Sequence, residues 1–154
     1  MKKAFKLEGG QLVDAIKHTI DILKEHPDAK IYVGTDSQNK RHFTSYVTCI
    51  CYRYGHRGAH YIYYRENVKK IRDRWVRLWG EVERSVEVAR FLEDNSLKVY
   101  RVDLDFNEKE IARSHNMVSA ARGYVIGMGF QPNQVTVKPE EQVATRSADH
   151  IVRR

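Results

Sequence analysis

The sequence predicts an α/β fold built on a mixed sheet, and three observations carry that prediction. Between residues 30 and 64, three runs of apolar, β-branched and aromatic residues are separated by turn residues, the pattern of an antiparallel meander. Beyond residue 74, stretches with apolar positions at helical spacing alternate with two further strand-like runs, the pattern of parallel crossovers. Acidic residues recur where these elements end or begin: Asp36, Glu81 and Glu83, Asp103 and Asp105, and Asp149.

In chain order, Leu12, Val13, Ile16, Ile20 and Leu23 predict an amphipathic helix over 10–26, stopped by Pro27. The first core strand is expected over 30–36, where Gly34 allows another backbone or a ligand to come close. Asn39-Lys40-Arg41 reads as a turn, Phe43 to Tyr54 as the second strand, and Ala59 to Tyr64 as the third after the Gly55–Gly58 turn. The tyrosines of this region (Tyr46, Tyr52, Tyr54, Tyr61, Tyr63, Tyr64) suit sheet faces, with base stacking as the alternative use.

Polar residues 66–73 lead into a long helix whose inner face is Trp75, Leu78, Trp79, Val82, Val86, Ala89 and Leu92. Asp94-Asn95-Ser96 stops it. Lys98 to Leu104 is a fourth strand, which a right-handed crossover places parallel to the first. Asn107 is suited to cap the next helix, with Glu110 completing a capping box. That helix carries Ile111, Val118, Ala121 and Val125, and ends at Gly127–Gly129. Gln134 to Val137 is a fifth strand broken by Pro139, and a last helix spans about 143–152.

The 154 residues, 42% hydrophobic and 31% charged, predict one soluble globular domain over 1–154, with 1–28 as an N-terminal helical extension. No apolar run approaches the roughly 20 residues that span a bilayer, which argues against a membrane partner. The basic start, Met1 to Lys6, is not followed by an apolar signal region, so a cytoplasmic location is expected. Cys49 and Cys51 alternate in one strand, share a face and are poorly placed to bridge. His42, His56 and His60 lie near them without the spacing of a zinc site.

The net charge of +7 favours polyanionic partners. Lys69, Lys70, Arg72, Arg74 and Arg77 cluster near the start of the long helix and form the candidate phosphate-contacting patch. Lys138, beside Pro139, is a further candidate.

The element order with these acidic positions resembles the ribonuclease H-like superfamily, and within it the small bacterial YkuK-type family. The matching pieces are Val33-Gly34-Thr35-Asp36-Ser37-Gln38, Gly80-Glu81-Val82-Glu83-Arg84-Ser85, Asp103-Leu104-Asp105-Phe106-Asn107, Gly123 to Phe130, Val137-Lys138-Pro139 and Ala148-Asp149. They span almost all the chain after residue 30. The resemblance implies a five-stranded sheet in the order 3-2-1-4-5, flanked by helices, with the N-terminal helix as an addition. It also implies four converging carboxylates, one each from the first strand, the first core helix, the end of the fourth strand and the last helix.

Carried onto this sequence, the strand and last-helix positions are Asp36 and Asp149. On the helix, Glu81 and Glu83 flank the buried face about equally, so periodicity leaves both open, while family position favours Glu81. In the fourth strand, Asp103 and Asp105 are two apart and share a face. Asp105 is preferred because ligands gather at the carboxyl ends of strands in such sheets.

The implied chemistry is phosphodiester hydrolysis, in which an anionic nucleophile must reach an anionic centre. Two divalent ions about 4 Å apart meet that need, one activating water and one stabilising the leaving oxygen. Mg²⁺ or Mn²⁺, two per site, would suit ligands that are all carboxylates. The resemblance implies that Asp36 bridges the ions, that Glu81 and Asp105 hold the one nearer the leaving group, and that Asp149 holds the other. The expected function is a metal-dependent nuclease acting on RNA, RNA–DNA hybrid or structured DNA. The alternative is a non-catalytic nucleic-acid-binding or assembly module on the same fold. An exposed edge strand would also permit a homodimer.

Overall fold

The computed structural model describes residues 3–56, 58–106, 108–137 and 144–153, without the side chains of 108–116, 145 and 146. Its elements are α1 (Ala15–Glu25), β1 (Lys30–Asn39), β2 (Phe43–Tyr54), β3 (Gly58–Lys69), α2 (Arg74–Asp94), β4 (Arg101–Leu104), α3 (Glu108–Gly127), a 3₁₀ turn (Pro132–Gln134), β5 (Val135–Val137) and α4 (Ala144–Val152). The strands form one five-stranded sheet in the order β3-β2-β1-β4-β5. The β1–β2 and β2–β3 pairs are antiparallel; β1–β4 and β4–β5 are parallel. This is the mixed α/β sheet expected, flanked by helices. Among the described residues no helix is long and apolar enough to cross a membrane.

Strand β1 is central, and every residue from Ile31 to Ser37 is buried because helices cover both faces. Alternation sends Ile31, Val33, Thr35 and Ser37 towards α2, where Thr35 Oγ1 lies 2.8 Å from Ser85 Oγ. Tyr32, Gly34 and Asp36 face α4. Two apolar cores follow from this. The larger packs Val33, Ile50, Val102 and Leu104 of the sheet with Val82, Val86, Ala89 and Leu92 of α2 and with Ala121 and Val125 of α3. The smaller packs Tyr32, Val47, Cys49 and Cys51 under Ala144, Ala148, Ile151 and Val152 of α4. Both cysteines are free and buried there, consistent with two side chains on one face.

The boundaries of α1, β3 and β4 differ from the sequence expectation. The first helix begins at Ala15 rather than near residue 10, because Asp14 caps it by accepting from the Lys17 amide at 3.0 Å. Gly10, at φ +94°, instead makes a turn that brings Lys6 against Leu12, and Leu12 is left 65% exposed. Lys6 also pairs with Tyr63 at the β3 edge. Strand β3 continues to Lys69 rather than ending at Tyr64, since β2 pairs with it along the whole length from Tyr54–Gly58 to Phe43–Lys69. Lys69 therefore ends a strand and does not precede a helix directly.

Strand β4 begins at Arg101 rather than Lys98, although the Tyr100 amide already bonds the Ile31 carbonyl at 2.8 Å. The Asn107 cap, its Glu110 partner, and Lys138 and Pro139 lie outside the described residues and side chains. Helix α2 is capped by Asp73, whose carboxylate accepts from the amides of Trp75 and Val76. It ends where Ser96 takes φ +62°.

The approach of α2 to the sheet depends on Gly80. A Cβ there would lie 2.4 Å from the hydroxyl of Tyr46, a fully buried side chain that donates to the Arg77 carbonyl at 2.9 Å. Arg84 packs on the same ring at 3.8 Å, so Tyr46 has little room to yield. Gly80→Ala should lower stability by about 1–3 kcal/mol through overpacking, read from denaturant unfolding. An unchanged midpoint would show that helix and sheet can part here at no cost.

Candidate metal centre

The pairing of β1 with β4 runs only from Tyr32–Arg101 to Gly34–Asp103. Continuing that register by two residues sets Asp105 opposite Asp36, just past the last paired rung. From the other side of the sheet α2 brings Glu81, which is buried at 5% exposure although it is a carboxylate. One ligand oxygen from each of Asp36, Glu81 and Asp105 lies within 4.8 Å of the others, and this is the one such group among the described residues. Asp149 of α4 joins from the remaining side through a hydrogen bond with Asp36.

The two positions left open by periodicity have distinct surroundings. Glu83 is exposed on the outer side of α2, in a groove with Glu87, Arg90 and Tyr124. It does not reach Asp36. Asp103 is almost fully buried, and its Oδ2 accepts from the amide of Ala144, the first residue of α4, at 2.9 Å. A carboxylate at that place offsets the positive end of the helix. Asp103 thus anchors the helix that carries Asp149, while Asp105 turns to the cluster.

The electrostatics follow from crowding negative groups away from water. Burial, the shared hydrogen bond with Asp149 and the charge of Asp105 push Asp36 up from 3.8 to about 8. A hydrogen bond between two carboxyl groups needs a proton, in keeping with that direction. Burial, and next the charge of Asp36, also raise Glu81 well above its ordinary value, opposed by a hydrogen bond from Ser37 and the nearby Arg77. Without a cation, burial and mutual repulsion thus favour the protonated forms of Asp36 and Glu81. The donors of the cluster are hard oxygens, with the two thiols sealed under α4, so a Mg²⁺- or Mn²⁺-type ion fits the residues present.

The basic residues divide into two sets. Lys69, Arg72 and Arg74 are exposed, and Lys70 reaches the Arg41 carbonyl at 3.4 Å. Asn39, at the end of β1, donates to the Ile71 carbonyl at 3.1 Å, so this segment borders the same end of the sheet as the carboxylates. Arg77 instead turns inward and donates to Ser37 Oγ at 2.8 Å. Lys138 lies outside the described residues. His60 bonds His18 at 2.7 Å.

Two partners of the carboxylates escaped the sequence reading. Arg153 binds Asp149 at 2.7 Å, and its i,i+4 spacing on a helix was the available signal. Ser37 donates to Glu81, and its place next to Asp36 in a strand, facing the opposite side, was the corresponding signal.

The chain matches the family model described as ribonuclease H-like over residues 11–153. No curated protein and no solved structure matches it.

Asp36 titrates at its ordinary value in the unfolded chain and near 8 in the folded one, so the folded protein carries an extra proton between those values. The stabilisation this gives is complete at low pH and is lost as pH rises towards 8. Metal-free protein should therefore melt progressively lower between pH 5 and about pH 8.5. Asp36→Asn should flatten that slope. Scanning calorimetry across the range checks both, and a slope unchanged by the substitution would contradict the burial of an acidic cluster.

Proposed function

Since the chain belongs to the ribonuclease H-like family, we propose that it is a divalent-metal-dependent nuclease cleaving phosphodiester bonds in RNA, RNA–DNA hybrid or structured DNA. The observation that carries this reading is the meeting of Asp36, Glu81 and Asp105 from three separate elements. Together with Asp149 they would hold Mg²⁺ or Mn²⁺. Ions of this class supply an activated water and neutralise the charge that builds on the leaving oxygen.

The chain's own residues have distinct parts in this reading. Asp36, which adjoins each of the other carboxylates, would be the ligand they have in common. Glu81 is held in the interior and Asp105 stands at the strand end. Asp149, half-exposed and paired with Arg153, lies on the solvent side. Lys69, Lys70, Arg72 and Arg74 border the site, where they would contact the phosphates of a bound strand. Arg77 reaches into it.

Calorimetric titration of Mn²⁺ and Mg²⁺, followed by cleavage assays on labelled hybrid, RNA and branched DNA, tests the reading. Wild type should bind and cleave. Asp36→Asn should lose metal binding and reduce cleavage to background while still binding nucleic acid. If wild type binds nucleic acid without cleaving it in either metal, the fold serves as a binding module. Neutralising Lys69, Arg72 and Arg74 would then lower the salt slope of binding by about one for each phosphate that is no longer neutralised.

A further inference from the structure

We propose that Ser37 and Arg77 are positioning residues that hold Glu81 in its metal-binding pose, an inference that rests on the metal-dependent reading above. Successive residues of a strand face opposite sides. Asp36 and Ser37 are consecutive, so the residue after the central carboxylate points to α2, the helix that carries Glu81. There Ser37 Oγ donates to Glu81 Oε2 at 2.5 Å. Arg77, one turn before Glu81 on α2, donates through Nη1 to Ser37 Oγ at 2.8 Å and to the Ser37 carbonyl at 3.3 Å.

The direction of this relay is determined. A guanidinium is only a donor, so Arg77 must give its proton to the serine oxygen. Ser37 has a single hydroxyl proton, which is thereby committed to Glu81. The relay thus presents Glu81 with a donor, and such a hydrogen bond favours its carboxylate, the form a cation needs. It engages Oε2 of a side chain that also lies beside Asp36 and Asp105.

The parts of the relay are themselves held. Ser37 is buried in β1 at 8% exposure, and the Arg77 carbonyl accepts from Tyr46 at 2.9 Å. A long, flexible carboxylate is thus brought to one pose by groups that would not touch the ion. Outer partners of metal ligands typically contribute about 10–100-fold in metal affinity.

The test is Mn²⁺ titration by calorimetry on wild type, Asp36→Asn, Ser37→Ala, Ser37→Thr, Arg77→Gln and the Ser37→Ala/Arg77→Gln double variant. Melting temperatures are measured alongside. Ser37→Ala should bind Mn²⁺ about 10–100-fold more weakly. Ser37→Thr, which keeps the hydroxyl, should stay close to wild type. Arg77→Gln should weaken binding, and the double variant should lose little more than Ser37→Ala, because the two residues act as one relay.

Wild-type affinity in Ser37→Ala or in Arg77→Gln would overturn the proposal, as would effects that simply add in the double variant. If Ser37→Ala does not fold, Arg77→Gln and Ser37→Thr decide the matter. Binding by wild type that is abolished in Asp36→Asn but kept in Ser37→Ala would defeat this inference alone. Failure of wild type to bind Mn²⁺ even with a hybrid duplex present would defeat the nuclease reading and this inference with it.

Discussion

The arrangement depends on one strand being covered on both faces. Because β1 is buried from Ile31 to Ser37, its period-2 alternation delivers side chains to two different helices from adjacent positions. Asp36 meets Asp149 on one side, and Ser37 meets Glu81 on the other. The last paired rung with β4 comes just before, at Gly34–Asp103, so Asp105 arrives opposite Asp36 where the ladder has ended. Three elements distant in sequence converge on two consecutive residues of a fourth.

That convergence has an electrostatic cost. Carboxylates removed from water and placed beside one another resist ionisation, and Asp36 and Glu81 both titrate high for that reason. A site tuned only for stability would replace such a cluster with packed apolar groups. The surroundings instead support the charged forms: Ser37 and Arg77 act on Glu81, and Arg153 acts on Asp149. These contacts only partly oppose the upward push on Asp36 and Glu81, and a divalent cation would complete the balance.

Helix α4 shows how a short element can carry a site residue. Nine residues make a helix that is marginal in isolation. At its start the Ala144 amide is bound by Asp103. At its end Arg65 donates to the Ile151 carbonyl at 2.8 Å and Lys40 to the Val152 carbonyl at 3.0 Å, where cations also suit the helix dipole. Its inner face of Ala144, Ala148, Ile151 and Val152 packs on the sheet. Asp149 is placed by contacts at both ends of its helix.

The sequence by itself determined the order of elements, the first core strand and its aspartate, and the strand-end place of Asp105, because these rest on periodicity and on turn residues that act locally; the sheet order came only from the family resemblance. Periodicity could not separate Glu81, which the family resemblance alone favoured, from Glu83, since both flank the buried face of α2 and only the packing of that helix on β1 buries one and exposes the other. Alternation likewise puts Asp103 and Asp105 on one face, and although the strand-end position favoured Asp105, the role of Asp103 stayed hidden, because the amide that engages it belongs to residue 144, 41 positions away. Arg77 read as one more cation in a basic cluster until the fold placed a serine from another element against it. Local pattern decides what each segment becomes, while partners drawn from distant segments decide what each charged side chain does, and only the tertiary structure brings those partners within reach.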